Sequence, residues 1–124
     1  MKSKHPINLA LRFLLELAAI FIFGYWGYSL GVDGTRIILA ILFPLLFAIL
    51  WGVFAVKGDP SRSGKTVVQT PGIIRLVLEL ILFGAAAWMM LDLDYPLIAL
   101  IFGLAVTIHY IISFDRIAWL LKQK

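Results

Sequence analysis

The chain has 124 residues, 62% of them hydrophobic and 15% charged, with a formal net charge of +4. Soluble domains run at about 45–50% apolar and about 25% charged, so this composition excludes an ordinary soluble globular protein. With no cysteine in the chain, disulfides and thiolate metal sites are excluded as well.

Four apolar stretches carry the composition. They predict helices at roughly residues 7–31, 37–56, 73–91 and 95–121, in an all-α integral membrane four-helix bundle forming one transmembrane domain. Residues 37–56 and 95–114 each give 20 positions without Asp, Glu, Lys or Arg, the ~20 residues a helix needs to span hydrocarbon. The first and third stretches reach that length only by including ionisable residues. Helices are expected because a barrel strand would alternate and be about half as long. The first stretch begins like a secretory signal, but Arg12 and Glu16 interrupt its apolar region and no small-x-small cleavage site follows. It reads as a retained helix.

Helix 1 contains Arg12-Phe13-Leu14-Leu15-Glu16-Leu17, and helix 3 returns it as Arg75-Leu76-Val77-Leu78-Glu79-Leu80, at an offset of 63. The same offset lays Tyr25 over Trp88, Ala40 over Gly103 and Pro44 over Thr107. Helices 1–2 and 3–4 therefore read either as two copies of one hairpin in the same orientation or as two membrane hairpins of similar spacing. A true repeat would place a pseudo-two-fold axis along the membrane normal.

Charge sets the expected topology. Ten of the eleven Lys and Arg fall at the two termini, in loop 57–70 or at the start of helix 3, and only Arg36 falls on the other side. The positive-inside bias places both termini and loop 57–70 in the cytoplasm. The opposite turns, residues 32–35 and 92–94, are short enough to force antiparallel neighbours. Aromatic residues gather at helix ends, with Tyr25, Trp26, Tyr28, Trp88 and Tyr95 outside and Trp51, Phe54 and Trp119 inside, as in an interfacial belt.

Small residues mark expected helix contacts: Gly27 and Gly31 on helix 1, Ala40, Pro44, Ala48 and Gly52 on helix 2, and Ala99, Gly103 and Thr107 on helix 4. Small-xxx-small stripes let backbones approach closely in lipid. Packing within one bundle is the expected use, with a homodimer face as the alternative. Pro44 also removes one backbone hydrogen bond and can kink helix 2.

The loop sequence Ser63-Gly64-Lys65-Thr66 matches the end of a phosphate-binding loop, but that motif needs a glycine where Asp59 stands, and a preceding strand. Loop 57–70 reads as a solvated connection. Nucleic-acid binding would need a basic folded surface, for which no soluble domain is available.

The candidate site is polar and intramembrane. Arg12 and Glu16 share one face of helix 1, and Arg75 and Glu79 share one face of helix 3, at matching depth. Helix 4 returns to that end with His109, Ser113 and Arg116 on one face, while Asp115 turns away. Glu before Arg is the better order at this spacing, and an Arg near a helix N-terminus opposes the macrodipole, so helix stability does not explain these pairs. Ionisable residues at such depth are costly and point to function. Two uses follow. The arginines can pair with the glutamates, within or across the repeats, as a structural clamp in a non-transporting accessory subunit or lipid-binding membrane scaffold. Alternatively, the cluster of Arg12, Glu16, Arg75, Glu79, His109, Ser113 and Arg116 binds or conducts a small solute, an ion or an anionic lipid headgroup, with a docked membrane protein as a further possible partner. Enzyme chemistry, a cofactor and a metal are not expected: His5 and His109 lack metal-ligand spacing, and Ser29, Ser61 and Ser63 lie in turns without a paired base.

The opening His5-Pro-Ile-Asn-Leu-Ala-Leu-Arg-Phe-Leu-Leu-Glu-Leu-Ala, the later Gly24-Tyr-Trp-Gly, Trp51-Gly-Val-Phe-Ala, the proline of the middle loop and Arg75-Leu-Val-Leu-Glu-Leu together resemble the YrdB-like family. The resemblance covers the whole chain. It implies a small bacterial inner-membrane protein of four helices, and it brings no known activity, site or ligand.

Overall fold

The computed structural model of the chain describes residues 2–62 and 65–124. Ser63 and Gly64, the centre of the loop sequence discussed above, lie outside the described residues. After a single 3-10 turn at Lys2–Lys4, five helices follow: α1 (Pro6–Leu30), α2 (Thr35–Val53), α3 (Gly72–Asp92), α4 (Pro96–Ile112) and α5 (Phe114–Leu121). Two-residue strands β1 (Phe54–Ala55) and β2 (Val68–Gln69) pair in parallel across the middle loop. Helices α1, α2 and α3 are each long and apolar enough to cross a membrane, and α4 with α5 passes the same test as a bent pair.

Local chemistry sets the helix ends. Pro6 opens α1 at a position where its missing N–H costs nothing, and the His5 ring caps it by accepting from the Ile7 N–H. In the α1–α2 turn the Thr35 hydroxyl accepts from the Val32 N–H and donates to the Val32 carbonyl. Asp33 and Asp94, one in each short turn, hold φ of 54° and 65°, the left-handed region that Asp tolerates better than most residues. Pro44 does not break α2, which runs on through it.

Helix 4, expected over residues 95–121, is two helices meeting at a 69° bend at Ser113. The bend folds α5 under the start of α3. Gly72 makes this possible: a Cβ there would stand 1.6 Å from the Leu120 carbonyl oxygen. The Gly72 N–H instead donates to the Gln123 carbonyl at 3.0 Å. Charge on one face of residues 109–116 was legible in the sequence. A glycine 44 positions upstream that admits the returning chain was not.

The core is aromatic. Phe23, Phe47, Trp51, Phe83, Phe102 and Tyr110 follow one another with ring centroids 5.0–6.2 Å apart, mostly edge to face. Such pairs add to the burial of their area. Trp51 is partly buried and packs against this core. Helix α2 is peripheral: a 6% share of its most apolar window is buried, against 33% for α1 and 39% for α3.

The small-residue stripes divide accordingly. A Cβ on Gly27 would lie 2.4 Å from the Leu39 carbonyl, and one on Gly31 would lie 2.6 Å from the Arg36 backbone. Gly24 faces the Ala40 carbonyl and the Pro44 ring, so Gly24, Gly27, Ala40 and Pro44 seal α1 to α2 near the α1–α2 turn. Ala99 is buried on α4. Ala48, Gly52 and Thr107 are exposed, and Gly52 and Gly103 have open space where a Cβ would stand. Those four do not make the close helix contacts their spacing suggested.

Candidate functional site: a buried arginine–glutamate centre and an adjoining cleft

At the end of the bundle that carries both termini, Glu79 on α3 is fully enclosed, with 0% of its surface exposed. Three guanidinium groups converge on it. Arg12 of α1 donates from Nη2 at 2.9 Å, Arg75 from Nε at 2.6 Å across one turn of α3, and Arg116 of α5 from Nη1 and Nη2 at 3.0 and 2.8 Å. The Tyr110 hydroxyl of α4 donates to the same carboxylate at 2.6 Å. Charge-assisted bonds of this kind are the strong ones, and they tie four helices to one side chain.

Arg116 also reaches back to the middle loop, donating from Nε and Nη2 to Asp59 at 2.8 and 2.6 Å. Loop 57–70 is therefore docked at this point rather than freely solvated. Burial alone would raise the Asp59 carboxyl, but the hydrogen bonds and charge of Arg116, helped by Ser61, hold it below the ordinary aspartate value. Arg75 closes the loop from the other side, with Nη1 2.6 Å from the carbonyls of both Trp51 and Phe54. These acceptors are orphan carbonyls at the end of α2, and a cation is the favoured partner there.

A second chain of bonds leads outward from Arg12. Its Nη1 lies 3.3 Å from His109 Nε2. Arg has no acceptor, so Nε2 must be the accepting nitrogen, and His109 is a neutral ring with its proton on Nδ1. Nδ1 then donates to Asn8 Oδ1 at 3.0 Å, and Asn8 Nδ2 donates to Ser113 Oγ at 2.9 Å and to the Ser3 carbonyl at 3.0 Å. Ser3 in turn donates from its hydroxyl to Asp115 at 3.0 Å. Among the described residues, no enclosed side-chain nitrogen or oxygen lacks a partner.

Six of the seven residues expected at the site, Arg12, Arg75, Glu79, His109, Ser113 and Arg116, are buried in this one network. Glu16 is half-buried and outside it. It accepts from the Trp51 indole N–H and makes no ion pair among the described residues. Sequence reasoning missed Asn8, Tyr110 and Asp59, and left Trp51 and Asp115 outside the site. Asn8 stands on the Arg12 face four residues earlier, and Tyr110 follows His109 directly. Those two positions were readable signals; Asp59 was not, because it sits in a loop.

A cleft of about 550 Å³ lies beside the network, between the start of α1, the end of α2 and the loop. Its polar wall is Arg12, Glu16, Trp51 and Arg75, with Ser61 and Arg62 at the loop side and Leu9 and Phe13 on the opposite edge. Trp51 stands between two arginines, 5.0 Å from Arg12 Cζ and 4.7 Å from Arg75 Cζ, at cation–π distance from both. The volume falls within the ~300–1,000 Å³ of small-ligand pockets.

The chain matches the family described as "Protein of unknown function (DUF2568)" over residues 10–107. It is also 38% identical over 123 residues to the "Uncharacterized protein YrdB" of Bacillus subtilis (strain 168), a match covering 99% of this chain and 100% of that protein. The chain belongs to this YrdB-like family. No solved structure matches it. The family match spans Arg12, Glu16, Arg75, Glu79 and Trp51 but stops at Thr107. Family membership brings no activity to the site, so the chemistry rests on its geometry.

Proposed function

We propose that this YrdB-like protein is a four-span binding protein of the bacterial cytoplasmic membrane, with both termini and loop 57–70 on the cytoplasmic side. The buried network is its structural clamp, and the cleft is its binding site, for a small anionic group. One observation carries this reading: Arg12 and Arg75 belong to both structures. Their inner donors are spent on Glu79, and their outer faces form the cleft wall. Removing one partner of a buried ion pair leaves an uncompensated charge, so the clamp fixes the positions of both arginines.

Conduction is the poorer reading. A proton or ion path needs an ionisable group that exchanges with water, and Glu79 is sealed by three arginines and a tyrosine. Glu16 alone reaches the cleft, with no second carboxylate beyond it to pass a cation along.

Proteoliposomes loaded with a pH-sensitive dye test this directly. The expected outcome is a proton leak equal to that of protein-free liposomes, under either sign of membrane potential. A leak abolished by Glu16→Gln would contradict the reading. Topology is checked with the cysteine-free chain as background. Lys65→Cys and Lys124→Cys should react with an impermeant maleimide only after the cells are opened, whereas Gly34→Cys should react in intact spheroplasts.

A further inference from the structure

Resting on that reading, the geometry points to the headgroup phosphate of an anionic phospholipid of the inner leaflet as the occupant of the cleft, entering sideways between α1 and α2. Three observations place it there.

The first is that donors remain. Arg75 is buried, yet only Nε and Nη1 find acceptors among the described residues. Arg12 likewise spends Nη1 and Nη2 and leaves Nε. Since no enclosed polar atom is left unpaired among the described residues, these two N–H groups open onto the cleft that both arginines line. One free guanidinium nitrogen from each of two arginines suits a phosphate diester, whose oxygens can each accept from a separate donor.

The second is the charge left over. Inside the clamp, Arg12, Arg75 and Arg116 face two carboxylates, Glu79 and Asp59. Glu16 is the third carboxylate nearby, but it is turned to the Trp51 indole rather than to an arginine. Arg62 adds another cation at the loop side of the cleft, held by the Gly52 and Lys65 carbonyls. An anion there completes the balance.

The third is the direction of the opening, which distinguishes a lipid from a free oxyanion. Helices α1 and α2 are sealed at Gly24 and Gly27 and are joined again by the Trp51–Glu16 hydrogen bond, beyond which the cleft opens beside Gly52, with open space where its Cβ would stand. The outer edge of the cleft is Leu9 and Phe13, and Phe13 is 58% exposed on the lipid-facing side of α1. A headgroup can sit against the arginines while its acyl chains stay along this apolar edge. A freely soluble anion gains nothing from that edge.

Native mass spectrometry of the delipidated full-length protein tests the site, with dioleoyl phosphatidylglycerol, dioleoyl phosphatidylcholine and inorganic phosphate as probes. The expected result is one phosphatidylglycerol adduct that phosphatidylcholine matches only at about tenfold higher concentration and that millimolar phosphate does not displace. Arg62→Gln should weaken it about fivefold, the effect of one basic side chain at an anionic headgroup. Gly52→Phe, at a position where a Cβ meets nothing within 4 Å, should abolish it while circular dichroism and melting temperature stay as in the wild type. If phosphate binds alone and displaces the lipid, the lipid assignment is overturned and the anion cleft stands. If the two lipids bind equally, Gly52→Phe changes nothing and phosphate does not bind, both fall.

Discussion

Glu16 and Glu79 occupy matching places in two nearly identical hexapeptides, each four residues after an arginine, and their surroundings differ completely. Glu79 collects three guanidinium groups and a phenol and is shut off from solvent. Glu16 takes one indole N–H and stands half-buried in a cleft wall. The cause lies in what packs beside each helix. Helix α3 is central, and α5 folds beneath it to bring Arg116. Helix α1 at that depth meets the last turn of α2, which brings Trp51. Even Arg12, one turn before Glu16, reaches across to Glu79. The same local sequence thus makes a buried ion-pair centre on one helix and part of a cleft wall on the other, because a side chain's surroundings are set by tertiary neighbours.

Substitutions on the two sides sharpen this difference. The largest effect outside the glutamates is expected for Arg116→Met, which strips Asp59 and Glu79 together. Breaking buried pairs in this way costs ~3–5 kcal/mol, read as a fall in melting temperature in one detergent, with α5 becoming accessible to protease. Gly72→Ala comes next. The added methyl meets the Leu120 carbonyl, so α5 must move, at about 1–3 kcal/mol. Gly52→Ala, with open space around it, should be nearly neutral, and equal losses at both glycines would break the comparison.

Asp59→Asn should cost less and show itself through pH. Burial opposes the Asp59 charge, but Arg116 outweighs it and lowers the folded value. Its contribution is therefore fully present above the unfolded aspartate value of ~3.9 and drains as pH falls through the lower folded value. A melting curve measured from neutral to pH 3 should lose an acid step in Asp59→Asn that the wild type shows. A small effect is expected at the Glu16 pair. Trp51→Phe removes one hydrogen bond, about 1 kcal/mol, and the two cation–π contacts shrink with the ring.

Much of the fold was legible in the sequence. The α1, α2 and α3 spans follow from apolar length, the short turns from Asp and Gly, and the gathering of Arg12, Arg75, Glu79, His109, Ser113 and Arg116 from helical spacing. What was not legible depends on long-range packing. The bend at Ser113 requires Gly72. The docking of the loop requires Asp59 to meet Arg116, 57 positions away. The place of Trp51 depends on how α2 leaves α1. Periodicity reports which face of a helix a residue occupies, but not which element that face will meet.

The most direct test compares Glu79→Gln with Glu16→Gln by equilibrium unfolding, in nanodiscs of one lipid composition. Glu79→Gln leaves three arginines around a neutral amide and should lose ~3–5 kcal/mol. Glu16→Gln keeps an acceptor for the Trp51 indole and should lose less than about 1 kcal/mol. Similar losses for the two variants, or a greater loss at Glu16, would contradict the division between clamp and cleft.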